Sequence, residues 1–302
     1  MTDNLQQQVS LFDIYVADNQ DNTFKKEFNF IDLFAGIGGI RIAFESVGGK
    51  CVFSSEMDIY AQRTYQTNFG EEPYGDITKI NPLDIPNFDV LCAGFPCQPF
   101  SQAGYKLGFE DTRGTLFFNI AEILKEKQPK AFFLENVRGL LKHGEGRTFQ
   151  VIESVIKGLG YSLYYKVVRA SDFNLPQHRP RLFMVGFKDK NTMFDFPAPQ
   201  PLTFKMKDIF NAEEVNKDIG FTLRVGGRGS NINDRRNWEF YVVDGEVKRI
   251  TVEEAKKMQG FPDDYIFPVS EVQAMKQLGN SVAINAVRVV AENIARSLQH
   301  ET

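Results

Sequence analysis

The chain has 302 residues, a net charge of −4 and an ordinary apolar content, which suits one large globular domain or a large one plus a small one. No apolar run reaches membrane-spanning length, the opening "MTDNLQQQVS" lacks the basic and apolar regions of a signal peptide, and three scattered cysteines suit a reducing cytoplasm. Three scattered histidines and no CxxC pair give no metal site, and the charge excludes nucleic-acid binding through a surface that is basic overall.

Residues 1–27 are polar apart from the short patch "VSLFDIYV" and read as a loosely held N-terminal arm. A rhythm begins at residue 28. "FNFIDLF" is an apolar strand, followed by a glycine turn and the helix-like "GIRIAFESVG". "KCVFSSE" is a second strand, with a helix from about Asp58 to Asn68 after it. "FDVLCAGF" and "KAFFLENV" are the third and fourth, trailed by the helical patterns "TLFFNIAEILKEK" and "TFQVIESVIKGLG". Buried strands alternating with amphipathic helices specify an α/β fold with a doubly wound, mostly parallel sheet. "YSLYYKVVRA" and "RLFMVGF" predict two looped strands, an antiparallel edge that closes the first domain at residue 188. Residues 189–265 replace the rhythm with prolines, glycines, scattered charge and the single tryptophan, and predict a smaller, irregular, β-rich second domain. Residues 266–302 carry a long amphipathic helix, "VAINAVRVVAENIARSLQ", that returns to the first. "KVVRASDFNLPQHRPRLFMVGFKDK" and "RVGGRGSNINDRRNW" are locally basic and would line a cleft if nucleic acid binds; solvated loops account for that charge equally well.

Chemistry concentrates at the predicted strand ends. "DLFAGIGG" puts Gly36 and Gly38 between a strand and a helix, where doubly wound sheets bind nucleotides. It is not the dinucleotide fingerprint, because the third glycine would fall at Arg41. Glu56 ends the second strand, where a carboxylate accepts from a ribose diol, and Asp76 in "YGDIT" can accept from an adenine amino group. A glycine turn without lysine or arginine suits an adenosyl ligand lacking phosphates, S-adenosylmethionine foremost; a plain tight turn also explains the glycines alone. In "AGFPCQPFS" a cysteine stands between two prolines just past strand three, a rigid turn that projects the Cys97 thiol. Glu135 and Asn136 end strand four, and Arg179 and Arg181 lie two apart on an extended segment, hence on one side of it. Singly, each has a plainer reading: a buried thiol, a helix-capping carboxylate, arginines on a solvated strand. Cys51 and Cys92, inside apolar strands, take that plainer reading.

In order, "FIDLFAGIGG", "GFPCQPFS", "FLENV", "QHRPRLF", "MQGFPDDY" and "QLGNSV" resemble the motifs of the C5-cytosine DNA methyltransferases, bacterial enzymes that usually accompany restriction endonucleases. The resemblance spans about residues 30–295, leaving out much of 189–248. It implies that Phe34, Gly36, Gly38, Glu56, Met57, Asp76, Ile77, Leu116 and Asn280 bind S-adenosylmethionine and that Cys97 is the nucleophile. Glu135, Arg179 and Arg181 would hold the cytosine, Ser101 a phosphate in a closed loop, and Pro96 and Asn136 would complete the base- and DNA-binding set. Where the family often has tryptophan after the ribose-binding glutamate, this chain has Met57, a softer surface for adenine. Residues 189–248 would read the target, with Thr222, Leu223, Arg224 and Arg228 in "FTLRVGGRG" and Arg235 and Arg236 beside Trp238 in "RRNW".

The implied reaction explains the residue types. Cytosine C5 is a poor nucleophile until a soft thiolate adds to C6, and an acid at N3 with an arginine at O2 stabilises the charge that develops. The base must first be flipped from the duplex, and "QPFSQAGYKLGFEDTRG" reads as a lid that closes over it. The implied partner is double-stranded DNA carrying a short palindrome. The enzyme would be a monomer of the bacterial cytoplasm, associated with the nucleoid through DNA, that protects DNA from a restriction endonuclease without a stable complex. Three other readings share parts of the sequence: a tRNA-cytosine methyltransferase, a non-catalytic DNA-binding relative and an NAD-dependent oxidoreductase. A full recognition region argues against the first, intact Cys97, Glu135 and Arg179 against the second, and the broken fingerprint against the third.

Overall fold

The computed structural model describes residues 27–96, 116–226 and 231–299. Its centre is a six-stranded sheet of β1 (Phe28–Leu33), β2 (Gly49–Ser55), β3 (Val90–Gly94), β4 (Ala131–Val137), β5 (Tyr164–Arg169) and β6 (Pro180–Phe187). The strand order is β2-β1-β3-β4-β6-β5. β1 through β4 pair in parallel, whereas β6 runs antiparallel to both of its neighbours. The antiparallel pair is thus built with its later strand inside. β6 is almost wholly buried and carries the apolar run, while β5 leaves Lys166 and Arg169 exposed and takes the edge, where charge protects unpaired backbone.

Among the described residues the helices are α1 (Gly39–Glu45), α2 (Ile59–Phe69), α3 (Leu116–Lys127) and α4 (Arg147–Gly158). They continue with α5 (Met206–Phe210), α6 (Val252–Gln259), α7 (Glu271–Asn280) and α8 (Ile284–Gln299). Alternate strand residues face opposite sides of the sheet, so each side carries its own apolar layer. Phe30, Val90, Cys92 and Phe133 pack with Phe44 of α1 and Val287, Val290 and Ile294 of α8. Ile31, Leu91, Ala93 and Phe132 pack with Ile120 and Leu124 of α3 and Ile152 and Ile156 of α4. α2 starts where the Asp58 carboxylate accepts from the Tyr60 and Ala61 N–H groups and stops at Gly70, at φ +73°.

Residues 189–265 contribute α5, α6 and a hairpin of β7 (Phe240–Val243) and β8 (Glu246–Arg249). Their buried side chains, among them Met206, Leu223, Trp238, Tyr241 and Met258, belong to the same apolar cluster as α1 and α8. The change at residue 189 is therefore one of regularity, with no break in burial.

Candidate active site

The parallel order brings the C-terminal ends of β1–β4 to one edge of the sheet, and the reversed β6 delivers its N-terminal end to the same edge. These ends and the C-terminal turn of α7 enclose a cavity of about 390 Å³, a volume suited to a small organic ligand.

One wall follows β1 and β2. Phe34 and Gly36 both adopt φ +56°, so the chain turns sharply out of the sheet. The Gly36 N–H donates to Glu56 Oε2 and the Asp58 N–H to Glu56 Oε1, each at 2.8 Å. The carboxylate is held by backbone on one side and keeps lone pairs for a ligand on the other. Burial pushes the Glu56 carboxyl above its ordinary range, against the pull of those N–H donors. Met57, 67% exposed, presents its thioether at the cavity, and Leu116 and Asn280 also line it. Sequence reasoning passed over Lys276, which lines the same wall 3.7 Å from Asp58 Oδ2. Its position one helical turn before Asn280 was the available signal.

Gly38, Asp76 and Ile77 stand outside the lining of this cavity. A Cβ on Gly38 would collide with the Phe69 ring, so this glycine (φ +77°) lets α2 approach the turn. Asp76 accepts from the N–H and Oγ1 of Thr78 and caps a 3-10 turn, and Ile77 is buried in the core. Their segment does lie beside the end of β2, through the bridge between Ser55 and Tyr74.

The other wall follows β4 and β6. Val137 is the register partner of Arg181, which makes Glu135 the diagonal neighbour of Arg181 on one face. Arg181 Nε lies 3.0 Å from Glu135 Oε1. Burial raises the Glu135 carboxyl pKa against the opposing charges of Arg181 and Arg179, so this group holds its proton to higher pH than a solvated glutamate. Arg179, 2% exposed, is spent differently from Arg181. Its Nη1 donates to the Leu223 carbonyl at 3.3 Å, and its Nη2 to the carbonyls of Gly279, at 3.0 Å, and Ser281. Burial and the neighbouring Arg181 push its pKa down to about 9, still above neutral, so it remains a cation.

Asn136 lines the cavity, where Nδ2 donates to the Phe95 carbonyl at 2.9 Å and Oδ1 accepts the Val137 N–H at 2.8 Å, leaving one N–H and one lone pair of the amide for other partners. These bonds tie β4 to the segment that leads into Pro96. Cys97, Ser101, the predicted lid at 98–114, Arg228 and arm residues 1–26 lie outside the described residues. Cys51 and Cys92 are free thiols whose burial pushes them up, Cys51 to about 12, which leaves both inert as nucleophiles.

The expected DNA contacts divide. Arg224 and Arg235 are exposed. Arg236 is also exposed but is paired with Asp234, Nη2 to Oδ2 at 2.7 Å. Leu223 is a correction: at 2% exposure it is a core side chain, covered by the apolar cluster that also holds Trp238. The Thr222 hydroxyl donates to the His178 carbonyl, so Thr222 and Leu223 fasten the segment that carries Arg224.

The model of the family described as C-5 cytosine-specific DNA methylase matches residues 28–225 and 216–296. The chain belongs to this family. Among curated relatives, Type II methyltransferase M.DsaV of Dactylococcopsis salina is 45% identical over 303 residues, covering 89% of this chain and 86% of the relative. Type II methyltransferase M.HpaII of Haemophilus parainfluenzae is 42% identical over 350 residues, covering 99% and 98%. The solved Entamoeba histolytica methyltransferase EhMeth shares the fold, with a TM-score of 0.70 over 91% of this chain and 99% of that one, at 16% identity. As a member of the family, this protein is a DNA (cytosine-5)-methyltransferase.

Proposed function

We propose that this methyltransferase uses S-adenosylmethionine to methylate a cytosine flipped out of a short double-stranded target, through a covalent bond between Cys97 and C6, within a type II restriction–modification system. One observation carries the reading: a single cavity is walled on one side by Glu56 and Met57 and on the other by the Glu135–Arg181 pair. The first wall fits an adenosyl group. Glu56 is pre-set by two backbone donors to accept from a ribose, Met57 offers an apolar face, and the glycine turn carries no cation of its own to cradle phosphate. When bound, S-adenosylmethionine supplies an electrophilic methyl group on a sulfonium.

The chain's own residues prepare the base. The Cys97 thiolate adds to C6, the C5–C6 π electrons move into the ring, and Glu135 gives its proton to N3. C5 is then an enamine carbon able to bond the methyl carbon. Arg181, beside the same carboxyl, is suited to hold O2. Loss of the C5 proton to solvent restores the C5–C6 double bond, expels the thiolate and returns the N3 proton to Glu135. The raised pKa of Glu135 serves both proton transfers. Residues 189–248 read the sequence, with Arg224 and Arg235 as exposed cations for the DNA.

Bisulfite sequencing of DNA from cells expressing the chain tests this reading. One short sequence should resist conversion at a single cytosine, and DNA from cells expressing Cys97→Ala should convert fully. Full conversion in both would overturn it.

A further inference from the structure

Arg179 belongs to a closed ring of buried polar groups whose other side chains, Gln177 and Gln259, have no part in the reaction. Gln177 Oε1 accepts the Leu223 N–H at 3.1 Å. Gln177 Nε2 donates to Gln259 Oε1 at 3.1 Å and to the Met258 carbonyl at 3.0 Å. Gln259 Nε2 donates in turn to the Leu278 carbonyl at 2.6 Å and the Ser281 carbonyl at 3.4 Å. Arg179 closes the ring, from Gly279 and Ser281 back to the Leu223 carbonyl. Gln177 and Gln259 are fully buried. At Gln177 and Gln259 the ring needs a side chain that both accepts and donates, which an uncharged amide does.

The ring joins two places with different tasks. Leu278, Gly279 and Ser281 bracket Asn280, which lines the cavity. Leu223 lies next to the exposed Arg224 and Val225. The two segments also touch directly: a Cβ on Gly279 would stand 2.6 Å from the Arg224 carbonyl carbon and 2.9 Å from the Val225 nitrogen. Because both the N–H and the carbonyl of Leu223 are ring members, Thr222–Gly226 cannot shift without moving the Asn280 turn or leaving a buried group unpaired.

We propose that Gln177 and Gln259 are positioning residues that couple target-DNA binding at Thr222–Gly226 to cofactor binding at Asn280. The proposal rests on the functional reading above, in which Asn280 faces S-adenosylmethionine and Thr222–Gly226 faces DNA. It is tested by titrating S-adenosylhomocysteine calorimetrically, with and without a saturating duplex carrying the target found by bisulfite sequencing. In the wild type the duplex should tighten binding by a factor within about 5 to 150. Gln259→Leu should bring that factor below about 2 while changing affinity without DNA by less than about threefold, whereas a merely structural role would lower Tm and leave the factor intact. A wild-type measurement serves if that variant does not fold: S-adenosylhomocysteine should slow hydrogen exchange of the Leu223 amide at least about fivefold. Wild-type coupling that survives in Gln259→Leu, absence of coupling in the wild type, or unchanged Leu223 exchange would each overturn the proposal. Failure of the wild type to bind S-adenosylhomocysteine at all would instead defeat the functional reading on which it rests.

Discussion

The two sides of this molecule that meet at the cavity are held by different means. On the sheet side each group stands where its own strand or turn puts it: Glu56 is fixed by N–H groups at the ends of β1 and β2, and Glu135 meets Arg181 through the register of β4 and β6. On the side proposed to meet DNA, Thr222 and Leu223 are held by His178, Gln177 and Arg179, and Arg179 and Gln259 reach on to the Asn280 turn. The sheet is a local frame, and the Thr222–Leu223 segment is a borrowed one. Substitutions at the sheet edge should therefore act on chemistry or on one ligand, whereas loss of a single buried amide on the other side should act at a distance.

The largest expected effect tests the chemical half of that contrast. Glu135→Gln keeps the shape and removes the proton donor, so kcat should fall by about 10²- to 10⁴-fold with little change in Tm. A single-turnover assay over pH also checks the wild type. Because burial raises the Glu135 pKa, the rate that depends on its proton should persist above the usual carboxylate range and decline as pH rises through the folded value.

Next comes a pair of glycine substitutions two residues apart. Gly38→Val must move the Phe69 ring while keeping a positive φ, and should cost about 3 kcal/mol in denaturant unfolding, with cofactor affinity unchanged in the folded protein. Gly36→Ala meets only the Phe34 carbonyl oxygen at 4.0 Å and should instead weaken S-adenosylhomocysteine binding, by straining the backbone that orients Glu56. Equal affinities for both variants would erase the distinction.

Asp32 sharpens the contrast from within the sheet, since its carboxylate is fully buried and has no side-chain hydrogen-bond partner. Burial pushes its pKa up to about 8 against the pull of Arg41, with Glu45, Glu56, Cys51 and Cys92 among the surrounding titratable groups. The unfolded chain releases this proton near pH 4, while the fold keeps it to about pH 8. The contribution of Asp32 to stability is therefore full below pH 4 and is lost as pH rises toward 8. Wild-type stability relative to Asp32→Asn should fall by about 1.4 kcal/mol per pH unit across that window, a slope read from denaturant midpoints.

The smallest effect separates two adjacent arginines. Arg235→Ala should weaken DNA binding and lower the salt slope by about 1, whereas Arg236→Ala should change either quantity less, because its guanidinium already pairs with Asp234.

These contrasts also mark what could be read from the sequence. Strand–helix alternation reveals the sheet, and groups at strand ends, such as Glu56, Glu135 and Arg181, could be assigned to one edge because a strand's end is a local property. The order of β5 and β6 depends on which strand the sheet buries, and only the charges of Lys166 and Arg169 hinted at it. Leu223 stands between two expected DNA contacts, Thr222 and Arg224, yet it fills the shared core. Gly38 and Asp76 sit in the expected turns, but the approach of Phe69 to Gly38 depends on how α2 packs, which no local pattern shows. Gln177 and Gln259 stand in quoted motifs with no visible task, since their partners come from three separate segments.

The central claim is that Cys97 bonds covalently to the cytosine that Glu135 and Arg181 hold. A duplex whose target cytosine carries fluorine at C5 tests it most directly, because methyl transfer can proceed while the elimination that frees the thiol cannot. Incubated with S-adenosylmethionine and run on a denaturing gel, the wild type should give a shifted protein–DNA band, Cys51→Ser and Cys92→Ser should give it too, and Cys97→Ala should give none. A wild type that methylates ordinary target DNA without forming the band, or an equal band from Cys97→Ala, would contradict the account.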